Sequence, residues 1–288
     1  MNNKIIPHKL APTRAQPLRL LFSDLRVTVA LTLLSLITGL ILLGPWIAPD
    51  PSLQNLSAIR LPPSTTHWLG TDDLGRDVWA RVLLGGRLSL AVGLVATLVS
   101  MVVGTLYGSI AGYFGGKCDL LLMRLVDILY CLPYMFLVII LMIAVGKNIL
   151  ALFISLGLVQ WLTVARMVRG QVLSLKTEEY ISAARSLGVR PLVIIGRHLL
   201  PGVRPTVLVY ATLTVPGVIL QEAFLSFLGL SVHPCTWGVL IAEGADQMSS
   251  AWWLLAAPGF ALSITLLALN FLGDGLRDQL EARSRREI

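Results

Sequence analysis

The sequence predicts an all-α, polytopic membrane protein with six transmembrane helices. Hydrophobic residues make up 55% of the 288-residue chain and charged residues only 14%, against about 25% charged in soluble domains. The mean hydropathy is +0.77. A soluble protein of this size needs more charge on its outside to stay in solution. The apolar residues are also gathered into six runs of about 20 residues each, the length that carries a helix across the hydrocarbon core.

The polar lead of residues 1–26 precedes the first run, 27–47. Its exit, Trp46-Ile47-Ala48, lacks the small-x-small pattern of a cleavage site, so this run is expected to remain as an uncleaved span. The other five runs are 88–111, 125–145, 149–165, 206–228 and 252–272. Only Gly146, Lys147 and Asn148 separate the third from the fourth, which suits a tight helical hairpin. Residues 49–87 form a long polar connection whose first half holds Pro49, Pro51, Pro62 and Pro63. Its second half predicts a short amphipathic helix from about Gly75, capped by Asp72 or Asp73. Trp79 would anchor it at the membrane interface, with Asp77 and Arg81 paired at i,i+4.

Several residues inside the runs admit two readings. Gly104, Gly108 and Gly112 recur every fourth residue and allow a helix to approach closely, either from a second subunit or from within this one. Pro133, Pro216 and Pro258 kink their spans, either to line a gated path or to fit a curved bundle. Glu222 is an ionisable group inside the fifth span. It either faces a path, meeting a cationic group, or is hydrogen-bonded within the bundle. Asp127 with Arg124, and Asp274 with Arg277, have the i,i+3 spacing of structural pairs.

The formal charge is +7. On a soluble chain this would suggest nucleic acid, but here the basic residues flank apolar runs and report topology instead. With six spans and an inside N-terminus, only five of the 23 Lys and Arg (Arg60, Arg76, Arg81, Arg87 and Lys147) fall outside. Both termini are therefore expected in the cytoplasm. Cys118, Cys131 and Cys235 form no pair, and His8, His67, His198 and His233 are isolated, so neither a disulfide framework nor a metal site is expected. Gly116-Lys117 is followed by Cys118 and Gly146-Lys147 by Asn148, so neither opens a P-loop. No HExxH or GxSxG occurs, and no enzyme activity or cofactor is expected.

The segment 166–204 holds the most local information. Thr177 is placed to cap a helix with Glu178 and Glu179 in its first turn. Ala183 and Ala184 give that helix a face of small residues. Gly188 stands where a left-handed residue would end it. Pro191 suits the first turn of a second helix, running toward Leu200 and stopped by Pro201. Two short helices in an L would make a knob for docking into another protein, or an ordinary surface loop.

Ser182-Ala183-Ala184, Gly188 and Leu200-Pro201 resemble the cytoplasmic loop of binding-protein-dependent ABC importer permeases. That pattern is E-A-A, three residues, G, nine residues, I, one residue, L-P. Ser182 stands for its Glu and His198 for its Ile. The segment Gly70-Thr71-Asp72-Asp73-Leu74-Gly75-Arg76-Asp77 is similar to the one before span two in peptide and nickel permeases. Phe224-Leu225-Ser226-Phe227-Leu228-Gly229-Leu230 and Gly273-Asp274-Gly275-Leu276-Arg277-Asp278 resemble two further signatures of that family. Val103-Gly104-Thr105-Leu106-Tyr107-Gly108-Ser109 and Val168-Arg169-Gly170-Gln171 resemble the oligopeptide C-type branch.

The resemblance implies a type I ABC importer transmembrane domain over residues 87–274. It follows the first span and outer loop, 27–86, and precedes a cytoplasmic tail, 275–288. It implies an inner-membrane peptide permease that works with a second homologous permease, two cytoplasmic ATPases and an extracytoplasmic peptide-binding protein, and with no nucleic acid. Glu179, Tyr180, Ser182, Ala183, Ala184, Gly188, Leu200 and Pro201 would form the ATPase-coupling loop, and Glu222 a part of the path. Dipeptide, nickel, glutathione and antimicrobial-peptide import remain open as cargo. A secondary transporter would instead need coupling charges near the midplane, and an intramembrane enzyme would need a catalytic motif.

Overall fold

The computed structural model describes residues 25–146, 148–233 and 235–284. Expectations for residues 1–24, Lys147 and residues 285–288, including most of the N-terminal segment and the end of the tail, lie outside the described residues. Ten α-helices can be labelled among those described. They are α1 (Leu25–Ile47), α2 (Val78–Phe114), α3 (Gly116–Tyr130), α4 (Tyr134–Val145), α5 (Ile149–Leu175), α6 (Glu179–Ser186), α7 (Pro191–Ile194), α8 (Leu200–Leu225), α9 (Trp237–Asp246) and α10 (Trp253–Ser284). Five helical segments are long and apolar enough to cross a membrane, and the α3–α4 pair makes a sixth if counted as one broken span.

The helix α2 is the centre of the bundle. Its glycine stripe lies against α5 of the same chain. A Cβ at Gly104 would come within 2.5 Å of the Val164 side chain, and one at Gly108 within 2.4 Å of the Ala165 carbonyl. The stripe therefore serves packing within the subunit, letting two backbones approach where any side chain would hold them apart. Toward its other end α2 packs on α8, α9 and α10 through Val78, Val82, Leu83, Ile219, Trp237 and Leu254.

Pro45 explains how α1 is attached. It has no N–H, so the Ile41 carbonyl one turn earlier lacks its helical donor. Arg87 of α2 supplies one: its Nε donates to Ile41 O at 2.7 Å, and its Nη2 donates to Leu42 O at 2.5 Å.

Four expectations are corrected here. No separate interfacial helix precedes the second span: Asp77, rather than Asp72 or Asp73, caps α2 by accepting from Ala80 N, and the helix continues unbroken to Phe114. Asp77 does not pair with Arg81 but with His67 Nδ1 at 2.8 Å. The third span is not one helix. It breaks at residues 131–133, where Pro133 offers no N–H, and α3 and α4 meet at 94°. Asp127 also finds a different partner, accepting from Arg166 Nη2 of α5 at 2.8 Å.

The motif at residues 70–77 folds the long 49–77 segment onto α2. Asp72 is its hub: Leu74 N and Arg76 N donate to Oδ1, and Arg76 Nε and Arg81 Nη1 donate to Oδ2. Arg81 Nη1 also reaches Glu243 Oε2 on α9 at 2.8 Å, tying that helix to the loop. Gly75, at φ +67°, has no room for a side chain, since a Cβ would lie 1.8 Å from the Asn55 carbonyl. Trp79 lies half-buried and packs against Trp68 in a tilted pair, with ring centroids 5.7 Å apart.

Candidate functional site

The helix α6 begins one residue later than expected. Glu178, extended at φ −66° and ψ 145°, is the residue before it, and the Thr177 hydroxyl turns back to donate to Ser174 O at 2.7 Å. Glu179 places a negative charge in the first turn, and Arg185 a positive charge in the last, both favourable with the helix dipole. At the other end Gly188 adopts φ +74°. Its N–H donates to Arg185 O, and Val189 N donates to Ala184 O. These are the two bonds of a Schellman closure, so the expected glycine stop is present in full. Pro191 then starts α7 at its first turn, as expected.

Only part of the α6 surface is available to another protein. Ile181 and Ala184 are buried, one helical turn apart, against Val168 and Val172 of α5, Ile194 of α7, and Ile195 and Leu199 beyond it. Glu179, Tyr180, Ser182 and Ala183 are exposed. The expected pair of small residues is therefore divided: Ala184 packs inward and Ala183 faces outward. Arg185 lies over the Tyr113 ring, 5.0 Å from its centroid, and fixes α6 against the end of α2. The Tyr180 and His198 rings stand 6.4 Å apart, so the two ends of the motif are brought together.

Pro201 does not stop the second helix. Residues Ile195–Leu199 form a π turn in which Leu200 N donates to Ile195 O, five residues back. This wider turn absorbs the N–H that Pro201 lacks. The chain runs on as α8, with Leu200 half-buried and Pro201 exposed. The expected second short helix is thus the near end of the fifth span.

Two apolar side chains that sequence reasoning did not single out flank the Gly188–Pro191 corner. Leu187 is 82% exposed and Leu192 is 75% exposed. The signal was a large aliphatic residue on each side of a tight corner, where a solvated loop would carry polar residues.

Glu222 lies near the far end of α8 and is fully buried. Its Oε1 accepts from Ser226 Oγ at 2.7 Å and its Oε2 from Ser89 Oγ at 3.2 Å. Ser89 Oγ in turn accepts from Trp237 N, and Thr236, which caps α9, donates to Ser226 Oγ. Of the two readings of Glu222, this geometry matches the hydrogen-bonded one: the carboxylate joins α2, α8 and the start of α9 and does not reach the surface of the chain. It is about 30 Å from the α6–α7 corner along α8 at 1.5 Å per residue, so the two candidate sites are separate. No group of three or more His, Cys, Asp or Glu placed to hold a metal occurs among the described residues.

Residues 104–286 match the family described as binding-protein-dependent transport system inner membrane component. The chain is 46% identical over 276 residues to the oligopeptide transport system permease protein OppC of Escherichia coli (strain K12), covering 94% of this chain and 91% of that protein. It is 44% identical over 272 residues to the protein of the same name in Haemophilus influenzae, covering 93% and 88%. It is 43% identical over 248 residues to the dipeptide transport system permease protein DppC of Bacillus subtilis, covering 85% and 78%. A loop helix closed by Gly188, a central span packed by a glycine stripe and an apolar helical bundle thus coincide with matches that extend along nearly the whole chain: it belongs to the family of inner membrane components of binding-protein-dependent transport systems.

Proposed function

We propose that this chain is one of two pore-forming permease subunits of an ATP-driven importer for oligopeptides. Both termini lie in the cytoplasm, and α6 is the contact with an ATPase. The observation that carries the reading of cargo is 46% identity over 94% of the chain to an oligopeptide permease protein. A second reading, dipeptide import, draws on the 43% identity to a dipeptide permease protein. ATP is bound and split by two partner subunits, and an extracytoplasmic binding protein delivers the peptide to the outer end, where α9 and the 49–77 segment lie.

The geometry supports a lever. Closure of the ATPases on ATP moves α6 through its exposed residues Glu179, Tyr180, Ser182 and Ala183, with Leu187 and Leu192 seated beside them. The buried pair Ile181 and Ala184 transmits that displacement to α5 and α7. From Pro191 the chain is helical through the π turn to Leu225, a rod of about 50 Å at 1.5 Å per residue. Its far end holds Glu222 and, through Ser226 and Thr236, the start of α9. Motion at the loop thereby reaches the outer end of the bundle, the kind of rigid displacement that switches a path between two openings.

The experiment is reconstitution of the permease pair with its ATPases in liposomes. With the binding protein and ATP present, labelled tri- to pentapeptides should accumulate inside. Single cysteines at Ser57 and Ser249, both exposed, should react with an impermeant thiol reagent from the binding-protein side, and one at Thr177 should not. Accumulation without ATP, or labelling of Thr177 from that side, would contradict the reading.

A further inference from the structure

We infer that Gln221 is a station of the translocation path that binds the peptide main chain, with Gln160 beside it. This rests on the peptide-import reading above. A cleft of about 360 Å³ opens at the break between α3 and α4, lined by Tyr130, Pro133, Gln160, Thr163 and Gln221 among apolar side chains. The α4 helix has 12 residues, about 18 Å at 1.5 Å per residue, so the break lies well inside a hydrocarbon layer of about 30 Å. Gln160 stands 11 residues after Ile149, where α5 begins, at nearly the same depth. Non-helical backbone at such a depth is tolerated only where it is buried in protein or lines a cavity.

The chemistry of the cleft is selective. None of its lining residues is Asp, Glu, Lys, Arg or His. The Tyr130 and Thr163 hydroxyls bond to each other at 3.0 Å. Gln221 Oε1 is one of seven buried side-chain polar atoms without a hydrogen-bond partner among the described residues, and Gln221 is the one of those seven residues that lines this cleft, where a bound group could satisfy it. Any N–H or O–H donor satisfies such an acceptor, and a peptide brings the N–H of its main chain. A peptide unit offers an N–H beside a carbonyl, and a primary amide offers the complementary acceptor and donors. The nearest charge, the Arg166 guanidinium 4.1 Å from the Tyr130 ring centroid, is paired with Asp127, so a lining of uncharged residues that reads main-chain amides would accept peptides regardless of their side-chain charge. That is the tolerance an importer of varied sequences needs.

The test uses the assembled importer in liposomes, with the same binding protein throughout. Uptake of an all-amide tripeptide is compared with that of a depsipeptide in which one amide N–H is replaced by an ester oxygen. The wild type should favour the amide by about tenfold, the effect of one hydrogen bond to a buried acceptor. Gln221→Leu, and Gln221→Met as a longer-chained second variant, should bring that ratio close to one. The ratio is independent of how much complex assembles. A wild-type ratio retained by both variants would overturn the inference while leaving peptide import standing. Failure of the wild type to accumulate either compound would instead overturn the import reading on which it rests.

Discussion

Replacing Gly188 with valine should uncouple ATP turnover from substrate delivery. At φ +74° the position lies in the left-handed region, which costs an L-residue about 1–2 kcal/mol and a β-branched residue the most. Nothing lies within 4 Å of a Cβ built there, so the penalty is one of backbone conformation and not of collision. The α6 helix has only eight residues, too few to hold together without its closure and its two buried side chains. Strain at Gly188 therefore releases the bonds to Arg185 O and Ala184 O and lets α6 lose its orientation. Turnover stimulated by the peptide-loaded binding protein should fall about tenfold in the assembled complex, while the protein still inserts in the membrane. Gly188→Asn is the control. Asparagine tolerates the left-handed region, so stimulation should stay within about twofold of wild type. Equal loss in both variants would mean that the glycine is needed for its size and not for its backbone.

Arg81→Leu should loosen the end of the bundle built from α9 and residues 49–77. The Arg81 side chain is 4% exposed and sits between Asp72 at 2.6 Å and Glu243 at 2.8 Å. Its removal leaves the buried Asp72 carboxylate short of a partner. Breaking one side of a buried pair costs about 3–5 kcal/mol; the low end applies here because Arg76 Nε still donates to Asp72 at 2.7 Å. The expected result is faster proteolysis within residues 49–77 and release of α9 from that segment. Asp73→Asn gives the contrast. Asp73 pairs with Arg60, and both side chains are more than 40% exposed, so its loss should change proteolysis little, as exposed pairs contribute at most about 1 kcal/mol.

The two variants also mark where the sequence could be read and where it could not. Gly188 and Pro191 announce a helix end and a helix start within four residues, because their backbone limits are intrinsic to the residue type. The apolar runs are legible for a similar reason: a lipid-facing helix satisfies its own backbone and needs no distant partner. Arg81 is different. Its partner Glu243 lies 162 positions away, and the nearby Asp77 offered a plausible local pair that the fold does not use. The helix α9 was concealed because its ten residues are too few to span and sit in a segment read as connection. Pro201 looked like a stop because a π turn, which removes the conflict, leaves no mark in composition. The division of Ala183 from Ala184 depends on which face α5 covers, and this is a property of the packed bundle.

That division gives the most direct test of the account. If α6 couples this subunit to an ATPase through its outward face, Ala183→Trp should leave the permease inserted and folded, because Ala183 is exposed. The same complex should lose ATPase association and the stimulation of ATP turnover by the peptide-loaded binding protein. Measured on the purified assembly, turnover that no longer responds to the binding protein is the result the account predicts. Unchanged association and unchanged stimulated turnover would show that the outward face of α6 is not where the ATPase is engaged.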